Sequence, residues 1–400
     1  MTAPAFSMRT PPASAFSSAA VATVIGFGGT VALVVQAGQA LGADASQIGS
    51  MVTALCLAIG VPGALLSWRL KIPVVLAWST PGAALLAAST LGLAWPTAVG
   101  AFVFAALLMI LTGLIPALGR LAARIPAAIA SAMLAGVLLP FVLRLFKIVP
   151  DETLLTVALV ALFLVFRRMW PVWTLPAVLA AAFTVLAIRG QLTLPAGTGL
   201  FGHLQLVVPA FDWKAAVSLG FPLFLVTLAA QNLPGLVVLQ TAGYPPPANR
   251  LILSTGIASL LAAPFGAHGV NLAAITAAIC TGRDAHPNPN RRWVVGVIYG
   301  GFYLIVALFA APLAGLFIAM PPTVLAAVTG LALVAPLSGA VQGMMAETAS
   351  REAAVLTFAA TASGLALFGV GSAFWGLAVG FAALAAGRWI RRKPDPAQSV

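Results

Sequence analysis

Apolar runs of membrane-crossing length, interrupted by prolines, charges and turn residues, set the pattern of this chain. Cutting at those interruptions gives fourteen candidate spans: roughly 18–37, 48–67, 74–91, 97–118, 126–143, 153–166, 171–188, 215–233, 249–263, 268–282, 293–312, 322–343, 353–369 and 373–387. A crossing helix needs about 20 apolar residues. Between Ile72 and Gly119, and again between Trp293 and Ala346, there is no Asp, Glu, Lys or Arg. The pattern predicts an all-α polytopic membrane protein.

Two spans are broken where the middle of a bilayer would fall. In the third, Pro73 to Ala88 reads PVVLAWSTPGAALLAA; in the tenth, Pro264 to Gly282 reads PFGAHGVNLAAITAAICTG. Each predicts a discontinuous segment, a short extended stretch followed by a half-helix. Non-helical backbone at that depth is tolerated only where protein or a wet cavity covers it.

Fourteen spans divide into two sets of seven, and an odd number per set turns the second copy upside down. Three local similarities support such an inverted repeat. LVVQAG (Leu33 to Gly38) matches LVVLQTAG (Leu236 to Gly243). Pro126 and Pro140 in the fifth span share their spacing with Pro322 and Pro336 in the twelfth. GAALLAA follows STP in the third as LAAITAA follows HGVN in the tenth. The expected organisation is a tail over 1–17, a first repeat over 18–190, an outer connection over 191–213, a second repeat over 214–390 and a tail over 391–400.

Composition agrees with the membrane reading. The chain is 61% hydrophobic and 7% charged, with a mean hydropathy of +1.07, whereas soluble domains are about 25% charged. Of the 20 basic residues, only Arg144, Lys147, Arg189 and Lys214 fall outside if the N-terminus is cytoplasmic. That asymmetry places both termini inside, and the basic tail RWIRRKP becomes a topology anchor. The net charge of +12 is therefore topology, not a nucleic-acid footprint. The N-terminus lacks a charged n-region leading into a short apolar run, so the first span is expected to stay uncleaved. Cys56 and Cys280 fall inside spans and read as small buried hydrophobes.

The eight carboxylates fall in loops or at span edges. This argues against membrane proteases and carboxylate-lined cation pathways. His203, His268 and His286 have no metal-ligand spacing. Neither an enzyme nor a cofactor is expected. His203 reads as a solvated loop residue.

What remains inside the membrane is polar and backbone-breaking. Ser79, Thr80, Pro81 and Gly82 are placed to open a half-helix, with Ser or Thr at the N-cap and Pro at the first helical position. Gly266 and Gly269 flank His268, and Asn271 is placed to cap the half-helix beyond. The two N-termini would meet at the midplane, each with unpaired N–H groups and roughly half a positive charge. Such a place fits an anion. His268 could pair with a carboxylate and exchange a proton, or be a neutral ring satisfied by backbone. For Gln231 and Asn232, which are predicted to close the eighth span, substrate hydrogen bonding and helix–helix bonding stand level. Gln36 and Gln39 take the corresponding place in the first span and lean to a structural role. Gly376 and Gly380 form a GxxxG packing motif.

AWSTPGAALLAA (Ala77 to Ala88), AAQNLPGLVVLQTAGY (Ala229 to Tyr244) and AHGVNLAAITAAICTG (Ala267 to Gly282) together resemble the bacterial benzoate:proton symporters of the BenE type. The resemblance runs from about residue 18 to 390. It implies the fold of uracil/xanthine permeases and sulfate-type anion carriers. In that fold a core domain (segments 1–4 and 8–11) faces a gate domain (segments 5–7 and 12–14). A dimer through the gate is implied by the resemblance alone. Nucleobase permeases of this fold carry acids in segments eight and ten, where Gln231 and His268 stand here. A site without carboxylates suits an anion.

The expectation is an inner-membrane carrier importing an aromatic carboxylate, benzoate foremost, with a proton. Its substrate site comprises Ser79, Thr80, Gly82, Gln231, Asn232, His268, Gly269 and Asn271, with His268 as the proton-coupling candidate. The partners are a benzoate-like anion, a proton and the bilayer. The alternatives are a nucleobase or inorganic anion carrier on the same scaffold, an anion channel, or a non-transporting scaffold.

Overall fold

Two antiparallel three-residue strands cross at the centre of a bundle of helices. The computed structural model of the chain describes residues 11–89, 92–115, 117, 126–193 and 199–391, side chains of 387–391 excepted. Arg9, Arg120, Arg124, Arg392 and Lys393 of the charge count lie outside the described residues, as do positions 1–10 and 392–400 of the two tails.

The first half comprises α1 (Ala13–Gly28), α2 (Val31–Ala40), α3 (Ala45–Leu70), β1 (Leu76–Trp78), α4 (Thr80–Ala87), α5 (Trp95–Leu114), α6 (Ala127–Lys147), α7 (Thr153–Met169) and α8 (Thr174–Ile188). The second half opens with α9 (Trp213–Thr241). It continues with α10 (Ala248–Ala262), β2 (Val270–Leu272), α11 (Ile275–Thr281), α12 (Trp293–Leu308), α13 (Ala310–Ile318), α14 (Pro322–Met345), α15 (Arg351–Ala362) and α16 (Ser372–Arg391). Among the described residues, nine helices are long and apolar enough to cross a membrane.

Local chemistry explains the main boundaries. Asp44 and Gln47 form a reciprocal capping box at the start of α3. Ser79 caps α4 by accepting from the Gly82 N–H at 3.1 Å. α9 runs on through Gln231 and Asn232 instead of ending there. It contains two π-bulges, Ala216–Gly220 and Leu228–Asn232, each followed within two residues by a proline, Pro222 and Pro234. The inserted residue widens the turn that a proline ring would otherwise strike. α15 stops at Ala362, short of the predicted 369, because Gly364 takes a φ of +69° and the chain turns back. α13 extends the predicted eleventh span by a further stretch after a break at Phe309.

Two pairs of helices cross at glycine contacts. α3 packs along α12, where a Cβ on Gly60 would stand 2.8 Å from the Gly300 carbonyl and one on Gly300 2.6 Å from the Gly60 carbonyl. α5 packs along α10, where a Cβ on Gly113 would meet the Leu253 backbone at 2.5 Å. A second group forms around α6, which packs against α14 and α15, while α15 packs on α16. Cβ atoms on Gly376 and Gly380 would run into the Thr361 and Thr357 hydroxyls, so the GxxxG face seats α16 on α15.

The described part of the 191–213 connection is an extended strap. Its backbone N–H groups donate to the Leu308 carbonyl (from Gly202, 2.7 Å), the Pro264 carbonyl (from Val207, 2.7 Å) and the Pro96 carbonyl (from Ala210, 2.9 Å). His203 lies in this strap. Its Nε2 is 3.0 Å from the Ser46 hydroxyl, so the ring is pinned to α3 and is not simply solvated.

Candidate functional site

The strands set the geometry. Leu76 pairs with Leu272, Ala77 with Asn271 and Trp78 with Val270. The ladder continues at both ends, the Ser79 N–H donating to the Gly269 carbonyl at 3.2 Å and the Ala273 N–H to the Val75 carbonyl at 2.9 Å. The crossing thus holds α4 and α11 in a fixed relation, each beginning just beyond its own strand. Gly266 and Gly269 have φ of +90° and +139°, conformations that side chains rarely adopt.

Beside the crossing is a cavity of about 550 Å³. One wall comes from α1 and its break at Thr30, from Ala77 to Pro81, from Ala229 to Gln231, and from Ala273 to Thr276. The facing wall comes from Ala127, Ser131, Leu134 and Leu138 of α6, Leu175 of α8, and Ala332 to Ala340 of α14. Its polar side chains are Thr30, Thr80, Ser131, Gln231 and Thr276, and among the described residues no charged side chain lines it. The size is ordinary for a small-molecule site.

Of the eight residues singled out from the sequence, Thr80 and Gln231 line this cavity. The other six are buried behind its wall. Ser79 caps α4 and also accepts from the Thr227 hydroxyl at 2.8 Å, which ties the third segment to α9. A Cβ on Gly82 would stand 2.6 Å from Leu223 of α9. Asn232 accepts from the Leu272 N–H at 2.9 Å, so that amide serves the strand. Gln231 makes no hydrogen bond to described residues and faces the cavity. His268 donates from Nε2 to the Ser79 carbonyl at 3.2 Å and packs edge-on against Phe102. Its Nδ1 has no partner among the described residues.

Two expectations are corrected. Asn271 does not cap α11; it lies in β2, donates to the Leu272 carbonyl at 2.8 Å and leaves its Oδ1 without a partner among the described residues. The cap position of α11 is Ala274, with no side-chain acceptor. Pro81 is the second residue of α4, Thr80 the first. Since proline has no N–H and Ser79 occupies that of Gly82, α4 offers little beyond the Thr80 N–H. The start of α11 is the more open of the two, and Ala274, Ile275 and Thr276 border the cavity.

Sequence reasoning missed the support behind β1. The Trp78 indole N–H donates to the Thr30 hydroxyl at 2.7 Å, and the Tyr299 hydroxyl donates to the Leu76 carbonyl at 2.9 Å. Phe27 and Tyr303 pack on Trp78. Thr276 was findable, standing in the first turn of the half-helix already singled out. Ser131 carried no signal, being a lone hydroxyl in an apolar span.

α6 and α14 run antiparallel, since Gly343 meets Ser131 and Gly330 meets Leu145. The cavity lies toward the Ser131 end. Toward the other end the walls touch: the Gln36 amide of α2 donates to the Leu325 carbonyl of α14 at 3.4 Å and also to the Thr329 hydroxyl.

Residues 10–386 match the family described as benzoate membrane transport protein. The chain is 37% identical over 360 residues to an inner membrane protein of Escherichia coli, YdcO, covering 90% of this chain and 92% of that one. It is 33% identical over 363 residues to the benzoate membrane transport protein of Acinetobacter baylyi, covering 91% and 92%. In fold it is similar to the transmembrane domain of a cyanobacterial bicarbonate transporter, BicA, with a TM-score of 0.60, 16% identity and coverage of 94% and 95%. A murine anion transporter, solute carrier 26 family member A9 in its inward-facing state, gives 0.64 at 13% identity, covering 98% of this chain and 70% of that one.

Proposed function

The chain belongs to the benzoate membrane transport protein family, and we propose that it imports an aromatic carboxylate, benzoate foremost, together with a proton. The observation that carries this reading is the mostly apolar cavity, with a few uncharged polar side chains, at which both half-helices begin. Neutral dipoles can receive a monoanion without the repulsion a carboxylate would add. In the proposed pose the carboxylate accepts from Thr80, Gln231, Thr276 and the N–H groups opening α11. The ring lies against Trp78 and the small residues of α14. Ser79, Gly82, Asn232, His268, Gly269 and Asn271 hold the crossing in register behind it.

The proposal includes fourteen segments in an inverted seven-plus-seven repeat. The nine long helices, α7, α15, α16 and the two broken segments supply that number. Packing of α3 on α12 and of α5 on α10 supports it, because segments two and nine, and four and eleven, would exchange under the pseudo-two-fold. Segments 1–4 and 8–11 form the core and 5–7 and 12–14 the gate. With both termini cytoplasmic, the cavity opens inward and the Gln36 contact closes the outside. A dimer through the gate is proposed from the family resemblance only.

Proton coupling is placed on His268, one hydrogen bond behind the cap of α4. Moving one proton with one monoanion is electroneutral, so the pH gradient and not the roughly 2.3 kcal/mol per charge per 100 mV of the potential would drive uptake. The deciding experiment is radiolabelled benzoate uptake into proteoliposomes under an imposed pH gradient, competed with uracil and sulfate. Accumulation that collapses with the gradient and ignores uracil supports the proposal. Uptake indifferent to the gradient removes the symport, and competition by sulfate or uracil removes the substrate class.

A further inference from the structure

A second cavity of about 460 Å³ runs between α3 and α10, away from the proposed substrate site. Ala54, Ala58 and Pro62 form one side and Ala258 and Ala262 the other. Leu204 of the strap stands at the Ala54 end, beside the bond between the Gln205 N–H and the Ser50 hydroxyl. Arg69 stands at the far end. Bordering residues such as Leu261 are 69% exposed, so this face meets the hydrocarbon.

The Arg69 end lies at the membrane surface. Trp68 is 54% exposed there, and the Lys71 Nζ sits 3.9 Å from the Trp293 ring centroid. Exposed tryptophan and lysine mark the interface of a membrane protein. Among the described residues Arg69 makes no ion pair. Ala54 and Arg69 are separated along α3 by about 22 Å at 1.5 Å per residue. The groove therefore runs from the headgroup level past the middle of a hydrocarbon core of about 30 Å.

Its width identifies the occupant. Spread over that length, the groove's whole empty space of about 1080 Å³ gives a cross-section of about 49 Å², against roughly 80 Å² for a helix about 10 Å across. One hydrocarbon chain fits and a helix of a second copy does not. We propose that this groove holds an acyl chain of an anionic phospholipid, its phosphate on Arg69. The inference is independent of the transport reading.

Native mass spectrometry of the full chain in neutral detergent, offered phosphatidylglycerol or phosphatidylcholine with identical acyl chains, tests it. One basic residue at the surface should favour the anionic lipid about fivefold. Arg69→Gln should erase that preference while leaving binding of either lipid. Ala58→Phe with Ala258→Phe should fill the groove and lose both. An unchanged preference in Arg69→Gln overturns the proposal, as does wild-type lipid retention in the filled variant or a change in its oligomeric mass instead. If the filled variant does not fold, Arg69→Gln alone decides, since that side chain is exposed.

Discussion

Gln36 and Thr329 hydrogen-bond across the two helix groups, joining α2 to α14 on the closed side of the cavity. In the proposed carrier this contact must break before the site can face outward. One net hydrogen bond contributes about 1 kcal/mol. Gln36→Ala should therefore raise the outward-open population about fivefold, read as faster labelling of a cysteine at Ala332 by a membrane-impermeant reagent. Unchanged labelling would show that other contacts hold that side shut.

Gln231 and Asn232 are adjacent, yet their substitutions should separate cleanly. Gln231→Leu removes a cavity-facing amide, so benzoate affinity should fall several-fold with little change in melting temperature. Asn232→Leu strands the buried Leu272 N–H, which costs about 1–3 kcal/mol of stability. Equilibrium binding and thermal unfolding of the two variants distinguish these outcomes.

His268→Gln keeps a donor within reach of the Ser79 carbonyl, and the variant should fold. Gradient-driven benzoate accumulation should drop while exchange of benzoate across the membrane persists. Full gradient-driven uptake by this variant would remove the ring from the coupling step.

Gly339 lines the cavity, and a Cβ built there meets nothing within 4 Å. Gly339→Val should thus narrow the site without disturbing the bundle. Bulkier aromatic carboxylates should lose competition against benzoate by about 1–3 kcal/mol per excluded group, the usual worth of a methylene-sized difference in a pocket. Equal losses for small and large acids would mean that α14 does not contact the ring.

Much of this arrangement was legible from residue order alone. The Pro, Gly and polar breaks in the third and tenth spans announced backbone that a bilayer tolerates only when covered, and both became strand plus short helix. The facing of side chains was not legible. His268 reads as a site residue because it is polar in an apolar run, yet the positive φ of Gly266 and Gly269 turns that stretch so that the ring points behind Ser79. Asn271 looked like a cap because Asn often is one, but pairing with Ala77 fixed it in a strand. The LPG after Asn232 looked like a helix end. A π-bulge let α9 continue, and no local pattern announces one. Ser131 and Thr276 depended on which helices meet, which is a tertiary property.

The strand crossing reads alike from either end. The bond from Ser79 to Gly269 has its counterpart in the bond from Ala273 to Val75, and Ala77 faces Asn271 at the pivot. The ladder itself is therefore the same from either side, although the half-helix that opens from each strand is not, α11 being the more open of the two. Nothing in such a crossing acts as a one-way valve. A carrier built on it would take its direction from the gradients alone, expelling the acid from a cell whose interior had become the more acidic side.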